Sequence, residues 1–394
     1  MSRRDLLDIV VVGAGVVGSA AALAAARDGL RVALVEAHPP PPWVADEADL
    51  RVYAFAPDNQ ALLEDLGAWA SIRAARAHPY RRMRVWDAAG GGELDFNADE
   101  LGREQLGHIV EHALLVDRLW AACGREPTLQ RHCPDQLELI EQDADSVTAV
   151  LASGQRLRAK LLLGADGAAS AVRGLVDLPV DRHDYGQRGL VAYVGTGQPH
   201  EDTAWQRFLP TGPLAFLPCA DGRSSIVWTL PDAEAERLLG AGEAEFRREL
   251  TRAFDARLGE VVSVSARAAF PLRRQLAKGY VSGRVALLGD AAHAVHPLAG
   301  QGVNLGLRDV AALRGQWRRA GSTHDLAAPH RLARWERERR SENTVAAYSF
   351  DAINRLFSND ALLPTLVRGP LLGLAGKAGP IGRFLARKAG GIQG

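Results

Sequence analysis

The stretch that most constrains the fold is the first thirty-six residues. Leu6 to Val12 is a β-branched apolar run, as expected of a strand buried on both faces of a parallel sheet. Gly13-Ala14-Gly15-Val16-Val17-Gly18 comes next, the alanine-rich segment Val16 to Arg27 reads as a helix, and Asp28-Gly29 closes it. Arg31 to Glu36 then supplies a second strand ending in an acid, which completes a βαβ unit. In such a unit Gly13 allows the tight turn, Gly15 lets the backbone approach a pyrophosphate, and Gly18 lets helix and strand pack closely. The helix N-terminus offers free N–H groups and positive dipole to the anion. Glu36 is placed to accept hydrogen bonds from ribose hydroxyls, and it would repel a 2′-phosphate, so NADP is not expected in this pocket. GxGxxG by itself is weak, because glycines punctuate ordinary turns; here the strand before it, the helix after it and the acid eighteen residues beyond Gly18 all agree. The unit does not decide between NAD and FAD.

At 394 residues the chain is long enough for two or three structural units around a sizeable core. The 47 basic and 47 acidic residues cancel, so no whole-molecule field exists to hold a polyanion and nucleic-acid binding is not expected. Cys123, Cys133 and Cys219 form no CxxC pair and have no histidine at ligand spacing, which argues against structural zinc and for a reducing compartment. Ile9 to Ala26 carries no charge and comes after Arg3 and Arg4, superficially like an export signal or a membrane span. Asp5 and Asp8 in the leading segment and the glycines at 13, 15 and 18 speak against both. The expected location is therefore cytoplasmic, with any membrane association peripheral.

Two further glycine–acid constellations lie downstream. Lys160 to Gly167 is a buried strand running into Gly164-Ala165-Asp166-Gly167, with Ser170 and Arg173 beyond it on a short helix; an ordinary strand ending in an Asp-Gly turn fits this segment equally well. Arg284 to His293 repeats the device, with Gly289-Asp290-Ala291-Ala292-His293 leading through Pro297 to Gly300-Gln301-Gly302-Val303-Asn304. Asp290 suits a sugar-alcohol chain, and the helix opening at the Gly300 to Gly302 loop would aim N–H groups and positive dipole at an electron-rich ring such as reduced flavin.

Together these residues resemble the three ordered fingerprints of single-component FAD-dependent aromatic monooxygenases of the p-hydroxybenzoate hydroxylase type. Asp49 to Ala54, His78 to Met83, Thr203 to Pro210, Gly212-Pro213, Phe216 to Pro218 and Arg355 to Asn359 are similar, more closely, to the bacterial ubiquinone-biosynthesis hydroxylases. Val44-Ala45-Asp46 and His78 to Trp86 lean toward the branch acting on a demethoxylated quinol. The resemblance implies an α/β chain: a Rossmann-like FAD domain with a mostly parallel sheet (residues 1–72, 97–180 and 271–325), an inserted antiparallel-sheet substrate domain (73–96 and 181–270), and a C-terminal helical region with a basic tail (326–394). It implies FAD, with NADPH or NADH as a transient co-substrate. It also implies hydroxylation by O2, through a flavin C4a-hydroperoxide, of a hydrophobic prenylated phenol or quinol. Gly13, Gly15, Gly18, Glu36, Arg51, Asp166, Gly167, Arg173, Gly289, Asp290, Gly302 and Asn304 would bind the cofactor, and Pro297, Gly300, Gln301 and Gly302 would face its ring. His293 and His296 are candidates to tune flavin or move a proton, against the commoner role of a hydrogen-bonded structural histidine.

Arg51 to Leu66 reads as a helix, and the four prolines of His38 to Pro42 as an extended connector. Leu190 to Val194 and Ser225 to Leu230 read as strands of the substrate sheet. Trp205, Phe208, Phe216 and Trp228 are candidates to line an apolar pocket, or else ordinary core. Tyr193 and Tyr185 are candidates to polarise a ring hydroxyl. After Asp360 no acid remains, while Arg368, Lys377, Arg383, Arg387 and Lys388 lie among leucines and glycines. That tail reads as a capping helix, or as a segment touching an anionic membrane or another ubiquinone-biosynthesis protein. Two other activities remain open: a flavin dehydrogenase or reductase on the same scaffold, and a non-catalytic FAD-binding subunit of a biosynthetic complex.

Overall fold

The computed structural model describes residues 6–88, 92–295, 302–320 and 325–357. Pro297, Gly300 and Gln301, with His296 and the basic tail, lie outside the described residues.

The central sheet grows from the apolar run that opens the sequence. Leu7–Val12 lies between Val32–Val35 and Arg156–Gly164, and the parallel order extends outward to Leu129–His132 on one side and Val285–Leu287 on the other. Val281–Ser282 closes that second edge antiparallel, and a hairpin of Leu137–Gln142 and Val147–Leu151 pairs with Arg156–Gly164. Helix α1 (Val16–Arg27) crosses between the first two strands as the sequence predicts, with small side chains buried almost throughout. It packs beside α4 (His112–Cys123) and α8 (Gly302–Ala320).

Arg51 to Leu66 is not one helix. Val52–Phe55 is a strand, and the helix α2 (Pro57–Asp65) starts only at Pro57. The proline explains the break, because it disfavours helical backbone at Ala56 yet fits the first turn of a new helix. Val52–Phe55 joins Gly107–Glu111 and His78–Tyr80 in a small antiparallel sheet, next to α3 (Trp69–Arg76).

A second large sheet is formed by Arg82–Asp87, Glu93–Asn97 and the strands from Val180 to Ala277, with His293–Ala294 at its edge. Its pairs are antiparallel except where Thr203–Leu209 runs parallel to Arg82–Asp87. Strand Ala268–Ala277 runs across residue 270, and His293–Ala294 returns to this sheet from the glycine-rich segment, so the two regions are stitched together. The short α5 (Ala171–Leu175) comes after the second motif. Helices α6 (Asp232–Gly240) and α7 (Glu243–Ala253) cover the outer face of the sheet, and the long α9 (Pro329–Phe357) packs on α8.

Asp28, at the C-terminus of α1, ties three helices together. It accepts hydrogen bonds from Arg314, Arg318 and the Trp317 indole of α8, while Arg314 also reaches Asp65 of α2. Burial works against ionisation of Asp28, but these donors outweigh it and hold the carboxyl at about 2. A carboxyl held below its unfolded value adds stability that is present above about pH 4 and lost as the pH falls toward 2. Asp28→Asn is expected to cost roughly 3 kcal/mol at neutral pH and to flatten the acid limb of stability between pH 4 and 2, read by denaturant titration across that range.

Candidate functional site

Three strand ends converge because the parallel register aligns them. Val12 pairs with Gly164, and Gly164 with Leu287, so the three glycine motifs leave the sheet side by side at its carboxyl edge, where open parallel sheets bind ligands. The approach is close enough to require glycine. At Gly13, φ is +100°, and a Cβ would lie 2.5 Å from the Ala165 carbonyl oxygen. At Gly18 it would lie 1.9 Å from the Gly13 carbonyl oxygen, so α1 can pack here only without a side chain.

Above this edge lies an elongated cavity of about 840 Å³, within the range of small-molecule and cofactor sites. Gly13, Gly15, Glu36, Arg51, Asp166, Gly167, Asp290 and Gly302 all line it, eight of the twelve residues expected to bind cofactor. Around Gly15 a Cβ would meet nothing within 4 Å, and α1 begins there with no side-chain cap and no acid in its first turn. Its first N–H groups are therefore available to an anion. Glu36 Oε2 accepts a hydrogen bond from Ala14 N–H at 2.6 Å and Oε1 one from His38 N–H, which fixes the acid over the glycine turn. Asp135, Gln136 and Leu137 complete that end.

The other four act behind the wall. Gly18 and Gly289 serve close packing, Gly289 against Val17. Arg173 is 5% exposed and spends its guanidinium on the carbonyls of Ala291 and Ala168, so it locks the second motif to the third instead of reaching into the cavity. Burial lowers its pKa. Asp166 orients the same turn by accepting from Ser170 Oγ at 2.6 Å and Val172 N–H. Asn304, fully buried, accepts from Ala56 N–H and donates to the Ala54 carbonyl, clamping the bend between strand and α2. A short polar residue beside a glycine loop reads as a ligand contact in sequence; here it is engaged by backbone and by the Asn59 amide, which donates to its Oδ1.

His293 is likewise structural. It is fully buried and hydrogen-bonds Asp309 at 2.6 Å; Asp309 also accepts from Arg339 Nε, Asn343 and Gly289 N–H. Burial pushes the Asp309 carboxyl up, but His293 and Arg339 together outweigh it and hold it at about 2. The network sets the turn that carries Asp290.

The far half of the cavity is apolar. Val191, Leu217, Val227, Phe270 and Leu272 of the second sheet line it, with Leu50, Val52 and Tyr53 from the segment after the proline connector. The four expected aromatics are not among them. Trp205, Phe216 and Trp228 point to the opposite face and pack with Phe246, Phe254 and Leu250 of the α6–α7 cover, Phe216 stacking on Phe254 at 3.7 Å. Phe208 packs with Val85. Strand alternation accounts for this, since Phe216 and Leu217, or Val227 and Trp228, must face opposite ways. Tyr193 shares the cavity's face, but its hydroxyl donates to the Asp49 carbonyl, and Arg223 covers its ring, so it stands beside a smaller neighbouring cavity. The Tyr185 hydroxyl is bound to Asp351 of α9.

His112, at the start of α4, was not marked by any motif. It lines the cavity and hydrogen-bonds Tyr53 at 3.0 Å, with Arg51 over the Tyr53 ring. Burial, aided by Arg51, pushes His112 down to about 4, and burial pushes Tyr53 well above the usual phenol range. The imidazole is therefore neutral at physiological pH, and the pair adds uncharged hydrogen-bonding groups beside the Arg51 guanidinium.

Comparison with known proteins agrees with this geometry. Residues 7–347 match the family model described as FAD binding domain. The chain is 38% identical over 389 residues to a 3-demethoxyubiquinol 3-hydroxylase of Escherichia coli (strain K12), covering 98% of each chain. It is 37% identical over 394 residues to the ubiquinone hydroxylase UbiL of Rhodospirillum rubrum, covering 99% of this chain and 91% of that one. Among solved structures, PqsL of Pseudomonas aeruginosa in complex with 2-aminobenzoylacetate superposes with a TM-score of 0.75 at 25% identity, over 90% of this chain and 97% of that one. With its glycine motifs on one cavity edge and the family match spanning most of its length, the chain belongs to the FAD binding domain family.

Proposed function

We propose that this protein is an FAD-dependent, NAD(P)H-using monooxygenase that hydroxylates the ring of a prenylated phenol or quinol in ubiquinone biosynthesis, with a demethoxylated ubiquinol as the preferred substrate class. The observation that carries the reading is one continuous cavity joining anion-binding glycine turns at one end to an aliphatic sheet face at the other. The names of the two relatives above, which align over nearly the whole chain, support the substrate class.

Bound FAD supplies the redox chemistry, taking reducing equivalents from NAD(P)H and passing them to O2. The remaining work falls to side chains of this chain. The N–H groups at Gly15 and Val16 would hold the pyrophosphate, Glu36 the adenosine ribose, and Asp290 the sugar-alcohol chain. Gly302, at the start of α8, would turn backbone toward the flavin ring. Val191, Leu217, Val227 and Leu272 would exclude water around the ring carbon, which matters because reduced oxygen is otherwise lost as hydrogen peroxide. A rigid sheet would hold the substrate in place better than loops, and such positioning contributes to the rate. A prenyl substrate partitions into lipid. No helix among the described residues is long and apolar enough to cross a membrane. The lipid solubility of such a substrate and the basic residues after 360 support a peripheral position on the cytoplasmic membrane face, near other ubiquinone-biosynthesis proteins.

Purified enzyme supplied with NAD(P)H, a demethoxylated quinol and ¹⁸O₂ is expected to place one labelled oxygen on the ring. NAD(P)H oxidation with no label in the product would instead favour a reductase. Val227→Phe fills the apolar half, so FAD content should stay at the wild-type level while hydroxylation drops about a hundredfold and hydrogen peroxide rises, as read by product and peroxide assays. Asp309→Asn leaves the buried Arg339 with only the half-exposed Glu342 as counter-charge, at a cost of about 3 kcal/mol; it should also weaken FAD retention at least tenfold by loosening the Asp290 turn, measured by flavin fluorescence during equilibrium dialysis.

A further inference from the structure

Outside the cavity, two histidines and an aspartate from separate parts of the chain meet. His78 opens a strand of the small sheet, while His200 and Asp202 stand on the turn between Val180–Thr196 and Thr203–Leu209 of the second sheet. One potential ligand atom from each lies within 4.8 Å of the others, and His78 Nε2 is 2.9 Å from Asp202 Oδ1. The rings of His78 and His200 meet edge to face at 5.3 Å.

His200 has the orientation of a metal-ligating histidine. Its Nδ1 accepts the Asp202 N–H at 3.2 Å, so its Nε2 carries the proton and donates to the Cys219 carbonyl at 3.1 Å. A carbonyl partner of this kind fixes the tautomer and keeps the proton off Nδ1, the nitrogen that would face a metal. Glu201 and Asp202 both take left-handed backbone, with φ of 52° and 50°, uncommon for non-glycine residues and often associated with sites that need a side chain aimed. The Asp202 side chain is 46% exposed, so an ion could reach the site from solvent.

We propose that His78, His200 and Asp202 form a binding site for a divalent late transition ion of the zinc class, with the open positions filled by water. Two imidazoles and one carboxylate suit zinc, nickel or copper better than magnesium or calcium, which prefer oxygen donors. Binding exchanges the Asp202 N–H contact at His200 Nδ1 and the His78–Asp202 hydrogen bond for metal bonds, with the proton held between His78 Nε2 and Asp202 released to Nδ1 of His78 or to solvent, and leaves the Cys219 contact intact. The ion would pin the small sheet to the second sheet at the Asp202 turn, whose carbonyl already accepts the Arg81 N–H. None of the three residues lines the larger cavity.

The test uses the FAD-loaded full chain, stripped with EDTA and titrated with zinc chloride by calorimetry, with cobalt absorption between about 550 and 700 nm as a report of coordination. One ion per chain at a Kd of about 10 µM or tighter is expected, with a melting temperature that rises with zinc concentration. His78→Asn and Asp202→Asn should each weaken binding at least about tenfold while keeping FAD content unchanged, and His183→Asn, outside the cluster, should leave it unaltered. Binding weaker than about 1 mM, or stoichiometric binding that survives both cluster substitutions in FAD-loaded protein, would overturn the proposal.

Discussion

Backbone proximity at the carboxyl edge of the parallel sheet is the constraint on which the rest of the molecule depends. Val12, Gly164 and Leu287 are register partners on three adjacent strands, so the turns that leave these strands must share one small volume. A Cβ at Gly13 would collide with the backbone of Ala165, and one at Gly18 with the backbone of Gly13. The same crowding that excludes side chains leaves bare N–H groups facing the cavity, so the packing requirement and the anion site have one origin.

A second layer of buried polar contacts keeps these turns in place. Arg173 bridges the second motif to the third through carbonyls, Asn304 fastens the bend before α2, and Asp309 gathers His293, Arg339 and Asn343 behind Asp290. Each of these groups is almost fully buried, and each has charged or backbone partners. Such groups are costly when left alone and directional when paired. They make the cavity's polar edge rigid without themselves touching its contents.

Local patterns made the nucleotide half legible. Strand, glycine turn, helix and acid occur in order within thirty-six residues, and α1 occupies the span that its alanines mark. Site roles were less legible, because a motif marks which residues sit near a turn and not which way their side chains point. Arg173, Asn304 and His293 belong to motifs yet face inward. His112 belongs to none and faces the cavity, its position set by α4 and its partner Tyr53 by the strand that precedes Pro57. Ring size misled at the second sheet, where Trp205, Phe216 and Trp228 attract notice in sequence while the cavity face is built from their less conspicuous neighbours. Alternation alone places them on two faces; only the position of α6 and α7 says which face is covered.

That arrangement separates the groups that hold the second sheet together from those that meet the cavity's contents. The interlocked aromatic rings and their helical cover lie on one side, and mostly branched aliphatics, with Phe270, on the other. Exchanges among valine, leucine and isoleucine on the cavity side disturb few contacts in the aromatic layer. Ancestral duplicates of such a chain can therefore drift toward differently shaped guests by accumulating mild aliphatic swaps, with the scaffold's folding reserve left largely intact.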